Sequence, residues 1–166
     1  MSTIRLVRIA LLGALLYVAQ VALAFLPNIE IVSLLIVIFT LLFQEDARYI
    51  CLVYVVFNGL QAGFGLWWWT YLLVWPLFSV VVDWLSRVVQ ADWRVWSFVL
   101  GGFGLIFGAL FAIPYIFVIS PKYALAYWIA GIPWDLTHGI SNFVIGWFAG
   151  PRLFSLIQRA AAVGRW

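Results

Sequence analysis

The chain has 166 residues, of which 67% are hydrophobic and only 9% are charged. Its mean hydropathy of +1.12 lies far outside the range of soluble globular domains, so the composition predicts an integral membrane protein. The net charge of +3 arises from arginines dispersed at the edges of apolar tracts. Because they form no basic patch, the charge gives no indication of nucleic-acid binding.

Taken in chain order, the apolar tracts predict one membrane domain over residues 1–166. A hydrocarbon layer of roughly 30 Å needs about 20 helical residues. The tract Tyr49–Val82 is too long for one helix, and Gly63 and Gly65 predict a turn within it. Pro133 is a natural start for the last helix. We therefore expect an all-α bundle of six transmembrane helices, at approximately 6–26, 29–44, 48–63, 69–88, 95–119 and 134–149.

The basic residues predict the orientation of this bundle, because Lys and Arg are retained on the cytoplasmic side. With six spans and both termini inside, only Lys122 falls outside. The arginines all fall inside: Arg5, Arg8, Arg48, Arg87, Arg94, Arg152, Arg159 and Arg165. An alternative is that the first tract is a signal peptide ending near Ala24. We expect it to be retained, because it is long enough to span.

Polar residues converge on the predicted outer side. They are Asn28, Glu30, Asn58, Gln61, Asp135, His138 and Asn142. The last three are spaced i, i+3 and i+7, which places them on one helix face. Polar side chains within a membrane usually face a bundle interior or a wet cavity, so a ligand pocket is one interpretation. The other is structural: Asp135 caps a helix, while His138 and Asn142 form hydrogen bonds between helices.

Aromatic residues crowd the same predicted side. They include Trp67, Trp68, Trp69, Tyr71, Tyr123, Tyr127, Trp128 and Trp134. An interfacial belt is one explanation, because Trp and Tyr favour headgroup depth. Three consecutive tryptophans on a helix point about 100° apart and cannot all face lipid. We therefore expect at least one indole to contribute a flat wall to the pocket.

Catalytic and metal-binding patterns are sparse. Asp135 and His138 could form an acid/base pair, but a zinc site needs three or four protein ligands. Ser141 lies beside His138 without an oxyanion motif, and there is no P-loop. We expect no enzymatic activity, no metal and no cofactor, with a small intramembrane enzyme as the alternative.

The first helix contains "ALLGA", which places Ala10 and Ala14 at i and i+4 with Gly13 between them. Small residues at this spacing allow a second helix to approach closely, within the chain or from a partner. Three further runs are "LPNIEIVSLLIVIFTLLF", "GFGLWWW" and "GIPWDLTHGISNF". Together these motifs resemble the substrate-binding S component of energy-coupling factor (ECF) vitamin transporters, in particular its cobalamin-type member.

The resemblance implies a bacterial plasma-membrane subunit that captures a vitamin from outside. It would dock through Ala10, Gly13 and Ala14 onto a membrane scaffold subunit that carries two ATPases, and would topple in the bilayer to deliver its substrate. The polar residues and Trp67, Trp68, Trp69, Tyr71, Trp128 and Trp134 would form the pocket.

Alternatives are open both for the identity of the vitamin and for the class of function. The short "LPNIE" loop covers little, which favours a large ligand such as the corrinoid cobalamin, with pyridoxine-type vitamins and pantothenate as alternatives. We expect His138 to form hydrogen bonds rather than to ligate cobalt. A membrane scaffold protein without a ligand is a further alternative to transport.

Overall fold

The computed structural model describes residues 2–89 and 91–163, and its regular structure is entirely helical. The helices are α1 Thr3–Ala22, α2 Val32–Phe43, α3 Asp46–Ala62, α4 Leu66–Val89, α5 Trp93–Val118 and α6 Pro121–Val163. The prediction of an all-helical fold with six helices is confirmed. Four of them, α1, α4, α5 and α6, are long and apolar enough to cross a membrane. The number of crossings and their direction stay predictions, and Arg165 lies outside the described residues.

α2 is the centre of the molecule. It contacts each of the other five helices, and every residue of Val32–Thr40 is buried. Its sequence is apolar on all sides, as is typical of a helix surrounded by protein. At 12 residues it is about 18 Å long, shorter than a hydrocarbon layer. Around it α1 packs on α3, α3 packs on α4, and α5 pairs with α6.

Short polar side chains and glycine determine where the helices begin and end. Ser2 caps α1 by accepting a hydrogen bond from the amide of Arg5 at 3.3 Å. Asp92 caps α5 in the same way. Gly63 follows the last residue of α3 with φ of 84°, a conformation that residues with a Cβ rarely adopt. The predicted break between α3 and α4 is confirmed.

α6 begins 13 residues before the predicted start at 134. Pro121 is its first residue, and the hydroxyl of Ser120 accepts a hydrogen bond from the amide of Tyr123 at 3.2 Å. Proline at a first helical position following a serine cap is favourable, whereas Pro133 lies in the helix interior. The expectation that Pro133 starts the helix is therefore wrong. Interior prolines are tolerated in membrane helices because neighbouring groups satisfy the freed carbonyl.

α5 and α6 approach closely through glycines. A Cβ added at Gly104 of α5 would lie 2.7 Å from the backbone nitrogen of Gly139 in α6. This contact is possible only without a side chain at Gly104, as in small-residue helix interfaces of membrane proteins. The α5–α6 pair thus forms a tight hairpin that fixes the residues of α6 relative to α5.

The end of the molecule opposite the predicted pocket contains ion pairs. Asp46 is buried between α1 and α3, and it accepts a hydrogen bond of 2.7 Å from Nε of Arg5 and another from Arg8. Burial alone raises the pKa of the Asp46 carboxyl, but the two arginines outweigh it and the pKa lies below its usual value. The predicted pair of Asp83 and Arg87 is present at 3.8 Å, and Arg48 joins it at 3.5 Å.

Candidate functional site

The loop between α1 and α2 brings two of the predicted residues into the site. Asn28 has a positive φ of 57°, a conformation that asparagine adopts more readily than most residues. Two residues later, Oε2 of Glu30 accepts a hydrogen bond of 2.8 Å from the amide of Ser33. A carboxylate in this position also stabilises the N-terminal end of the α2 dipole. The short loop is therefore anchored by its own polar side chains.

Glu30 is joined to α6 by His138. Nε2 of His138 lies 3.2 Å from Oε1 of Glu30, and the His138 residue is only 4% exposed. Burial alone raises the pKa of the Glu30 carboxyl, but the hydrogen bonds with His138 and Ser33 outweigh it, so the pKa is lowered. The other imidazole nitrogen, Nδ1, has no hydrogen-bond partner within the described ranges.

Asp135 connects α6 to the backbone of α5. Its Oδ1 accepts a hydrogen bond of 2.8 Å from the amide of Gly108, and this approach again depends on the missing Cβ. Among the residues that the structure describes, Oδ2 of Asp135 and Nδ2 of Asn142 have no partner. Asp135, His138 and Asn142 are all buried, so the expectation that they share one protected face of α6 is confirmed.

Two clefts lie beside these polar groups. The first, which we call the Glu30 cleft, has a volume of about 300 Å³. Its polar and aromatic lining residues are Gln20, Asn28, Glu30, Tyr54, Tyr71, Trp75, Phe107 and His138. The second, the Asp135 cleft, has a volume of about 400 Å³. Its lining includes Asn28, Phe107, Phe111, Tyr127, Trp134 and Asp135. Asn28 and Phe107 line both clefts and separate them.

Six predicted site residues line these clefts: Asn28, Glu30, Tyr71, Trp134, Asp135 and His138. Tyr71 packs edge-on against the rings of Trp67 and Trp75. Asn142 is buried on the same helix face but lines neither cleft. The structure therefore brings together residues from the first loop, α4 and α6, and their location on the outer side stays a prediction.

The remaining predicted residues lie elsewhere. Asn58 donates to the carbonyl of Tyr54 at 2.9 Å, and Nε1 of Trp68 donates to the carbonyl of Val55 at 2.8 Å. Both side chains thus serve packing within α3 and α4. The others line neither cleft: Gln61 and Trp69 are exposed, Trp67 packs on Tyr71, and Trp128 lines a lateral groove between α5 and α6.

Several residues of the site were missed by the sequence analysis. The hydroxyl of Tyr54 donates to Oε1 of Gln20, and both line the Glu30 cleft with Trp75 and Phe107. Gln20 carried a usable signal, because it is an isolated amide within an otherwise apolar stretch of α1. Phe107 packs edge-on against His138 with ring centroids 4.9 Å apart. Nothing in the sequence distinguishes it from the other phenylalanines.

The arrangement offers no catalytic triad. Oγ of Ser141 lies 3.1 Å from the carbonyl oxygen of Asn28 and 3.0 Å from that of His138, so its hydroxyl is directed to backbone and not to the imidazole. Within residues 2–89 and 91–163, no group of three or more His, Cys, Asp or Glu side chains could hold a metal. The clefts offer hydrogen-bonding groups, two carboxylates and aromatic walls.

The predicted docking residues of α1 divide into two groups. Ala10 is exposed and Ala14 is half-buried. Gly13 is buried, because a Cβ there would lie 2.6 Å from Cγ1 of Val53 in α3. Assigning Gly13 to a partner surface is therefore wrong: it packs within the chain.

No family model, curated protein or solved structure matches this chain significantly.

Proposed function

We propose that this chain is the vitamin-binding S subunit of an ECF-type importer in the bacterial plasma membrane. It captures a vitamin in the two clefts on the outer face, and it docks on a scaffold subunit with two ATPases for uptake. The observation that carries the proposal is the set of buried polar atoms without partners beside the clefts. Nδ1 of His138, Nε1 of Trp75 and Oδ2 of Asp135 are such atoms within the described chain.

Buried polar atoms in proteins are nearly always hydrogen-bonded, since leaving one unpaired costs about 1–3 kcal/mol. Three such atoms beside two adjoining clefts are therefore best explained by a ligand that supplies the partners. The aromatic walls agree with this, because small-molecule sites are mostly apolar with a few placed polar groups. In a scaffold protein without a ligand, these three atoms would stay unpaired.

The outer surface of α1 supports the docking part of the proposal. Leu11, Leu15 and Val18 are 58%, 45% and 58% exposed, and Ala10 lies on the same exposed side. In a membrane, helix association depends on small residues that let backbones approach. A row of large apolar residues with an exposed alanine at its edge is compatible with either lipid or a partner helix, and the proposal assigns it to the partner.

The test is to purify the protein in mild detergent and identify bound small molecules by mass spectrometry. Candidates, including cobalamin, pyridoxine and pantothenate, are then titrated by tryptophan fluorescence. We expect one vitamin to bind stoichiometrically to the wild-type protein. The proposal would be contradicted if the purified protein contained no bound small molecule and no vitamin quenched its tryptophan fluorescence.

Glu30→Gln is the informative variant. Glutamine can still accept the hydrogen bond from the Ser33 amide, so the loop is retained while the charge beside His138 is lost. Hydrogen bonds to a charged group contribute about 1.5–3 kcal/mol, so affinity should fall roughly tenfold or more. Glu45→Gln is the matched control, because Glu45 is exposed near the ion-paired end and should leave affinity unchanged.

A further inference from the structure

The two clefts have more acidic than basic side chains. Glu30 and Asp135 contribute carboxylates, and neither cleft is lined by Lys or Arg among the described residues. The remaining titratable lining groups are His138 and the tyrosines Tyr54, Tyr71 and Tyr127, and tyrosines are neutral near pH 7. If His138 is protonated, it neutralises Glu30, and the Asp135 carboxylate is still uncompensated. The clefts therefore have a net negative charge in either state of the histidine.

Asp135 is the cleft carboxylate that forms no ion pair within the described residues, because its titratable neighbour His138 is bonded to Glu30. The residue is 7% exposed, and within the described residues its only hydrogen bond is the one from the Gly108 amide to Oδ1. A buried carboxylate is stable when a cation or several donors face it. The Asp135 cleft is lined by aromatic rings, those of Phe107, Phe111, Tyr127 and Trp134.

A carboxylate among aromatic rings has the chemistry of a cation site. Ring faces attract a positive charge through their quadrupoles, and organic ammonium ions in particular are bound in aromatic cages. The Glu30 cleft next to it offers flat walls from Tyr71 and Trp75, with polar atoms from Gln20 and His138. Such walls suit a planar ring that has hydrogen-bonding substituents.

Building on the proposed function, we infer that the substrate is a small aromatic or heteroaromatic cation. Its positive charge lies against Asp135 in the Asp135 cleft, and its ring occupies the Glu30 cleft beyond Phe107. The volumes of about 300 and 400 Å³ fit a ligand of one or two rings better than a corrinoid. An anionic vitamin such as pantothenate would bring a second negative charge to this site without a cation to receive it.

The experiment is isothermal titration calorimetry of the full chain in detergent with five vitamins at pH 7.4. Thiamine and pyridoxamine are positively charged, pyridoxine has a hydroxyl where pyridoxamine has its ammonium, pantothenate is negative, and cyanocobalamin is a large corrinoid. We expect thiamine or pyridoxamine to bind tightest, and pyridoxamine to bind at least tenfold tighter than pyridoxine. Tightest binding of pantothenate, pyridoxine or cyanocobalamin would overturn the inference while leaving the S-subunit proposal intact. Binding of none of the five would overturn both.

Two variants test where the charge lies. Asp135→Asn removes the charge, but its Oδ1 can still accept from the Gly108 amide, so the α5–α6 contact is retained. Affinity for the cation should fall at least tenfold, whereas Asp83→Asn, at the ion-paired end, should leave it unchanged. Trp134→Leu changes a side chain that is 53% exposed, so it should lower the affinity for the cation several-fold without affecting the stability of the protein. Unchanged cation affinity in Asp135→Asn would overturn the assignment to Asp135.

Discussion

The substitution Gly104→Ala adds one methyl group where α5 lies against α6. The new Cβ would be 2.7 Å from the nitrogen of Gly139 and 2.8 Å from its Cα, so both nearest atoms belong to the backbone and cannot rotate away. To restore an ordinary contact of 3.4 Å, the helices must separate by roughly 0.7 Å. Overpacking of this kind costs about 1–3 kcal/mol. The separation also moves α6, which carries Asp135 and His138.

Gly102→Ala is the matched control within the same helix. Apart from its chain neighbours and the backbone of its own helix, no atom lies within 4 Å of a Cβ at Gly102. This variant should therefore gain only the usual benefit of replacing a helical glycine, about 0.5–1 kcal/mol. Because Gly104→Ala has the same benefit, the difference between the two variants isolates the steric cost. That difference should be about 1–3 kcal/mol.

Thermal unfolding followed by tryptophan fluorescence, in one detergent for both variants, measures the effect. For a chain of this length, 1 kcal/mol corresponds to about 2–4 °C in Tm. The Tm of Gly104→Ala should therefore lie at least about 2 °C below that of Gly102→Ala, and vitamin affinity should fall in Gly104→Ala alone. If the two variants unfold at the same temperature, the close α5–α6 contact described here is refuted.

Three further predictions concern other parts of the molecule. Asp46→Asn should lower the free energy of unfolding by about 1.5–3 kcal/mol, because it removes the charge-assisted hydrogen bond to Arg8 in a buried setting. The pKa of Asp46 is lower in the folded than in the unfolded protein, so its stabilising effect is fully present above the unfolded pKa of about 3.9. The effect is lost as the pH falls through the folded pKa. The Tm of the variant should therefore depend less on pH in the acid range than the Tm of the wild-type protein. The proposed docking through α1 predicts that Ala10→Trp abolishes copurification with a scaffold and ATPase subunits while affinity for the proposed vitamin is retained, because Ala10 is exposed and lines neither cleft. Continued copurification would count against docking through α1. Cys51 is fully buried, so a maleimide should label it only on unfolding, and rapid labelling of native protein would contradict its position in α3.

Helix number and the position of the polar cluster could be predicted from composition and spacing. The long tract after Tyr49 had to break, and Gly63 marks the break. Asp135, His138 and Asn142 are buried on one face because their spacing follows the helical repeat. These features depend on local sequence, which is the information that a single chain contains.

The wrong predictions concern features that are determined by tertiary packing or by competing local sequence signals. Ser120 and Pro121 start α6, although Pro133 offers a second start signal of the same kind. Gly13 has the spacing of a docking motif, but whether a small residue faces a partner or α3 depends on the packing of α1. The tryptophan run Trp67–Trp69 lies within α4 and contributes to packing and surface, because the preceding loop is only three residues long.

The length of α6 makes bilayer thickness a variable that acts on the clefts. Its 43 residues extend about 64 Å, roughly twice the hydrocarbon layer. An apolar stretch that exceeds this layer tilts, or the lipid around it thickens, at a cost for each ångström of mismatch. The part of α6 between Lys122 and Arg152 is itself longer than the layer. Since α5 is bound to α6 through Gly104 and Gly108, tilting moves the hairpin as one unit relative to Glu30 in the first loop. Lipids of different chain length should therefore change the width of the clefts, and with it the affinity for the proposed ligand.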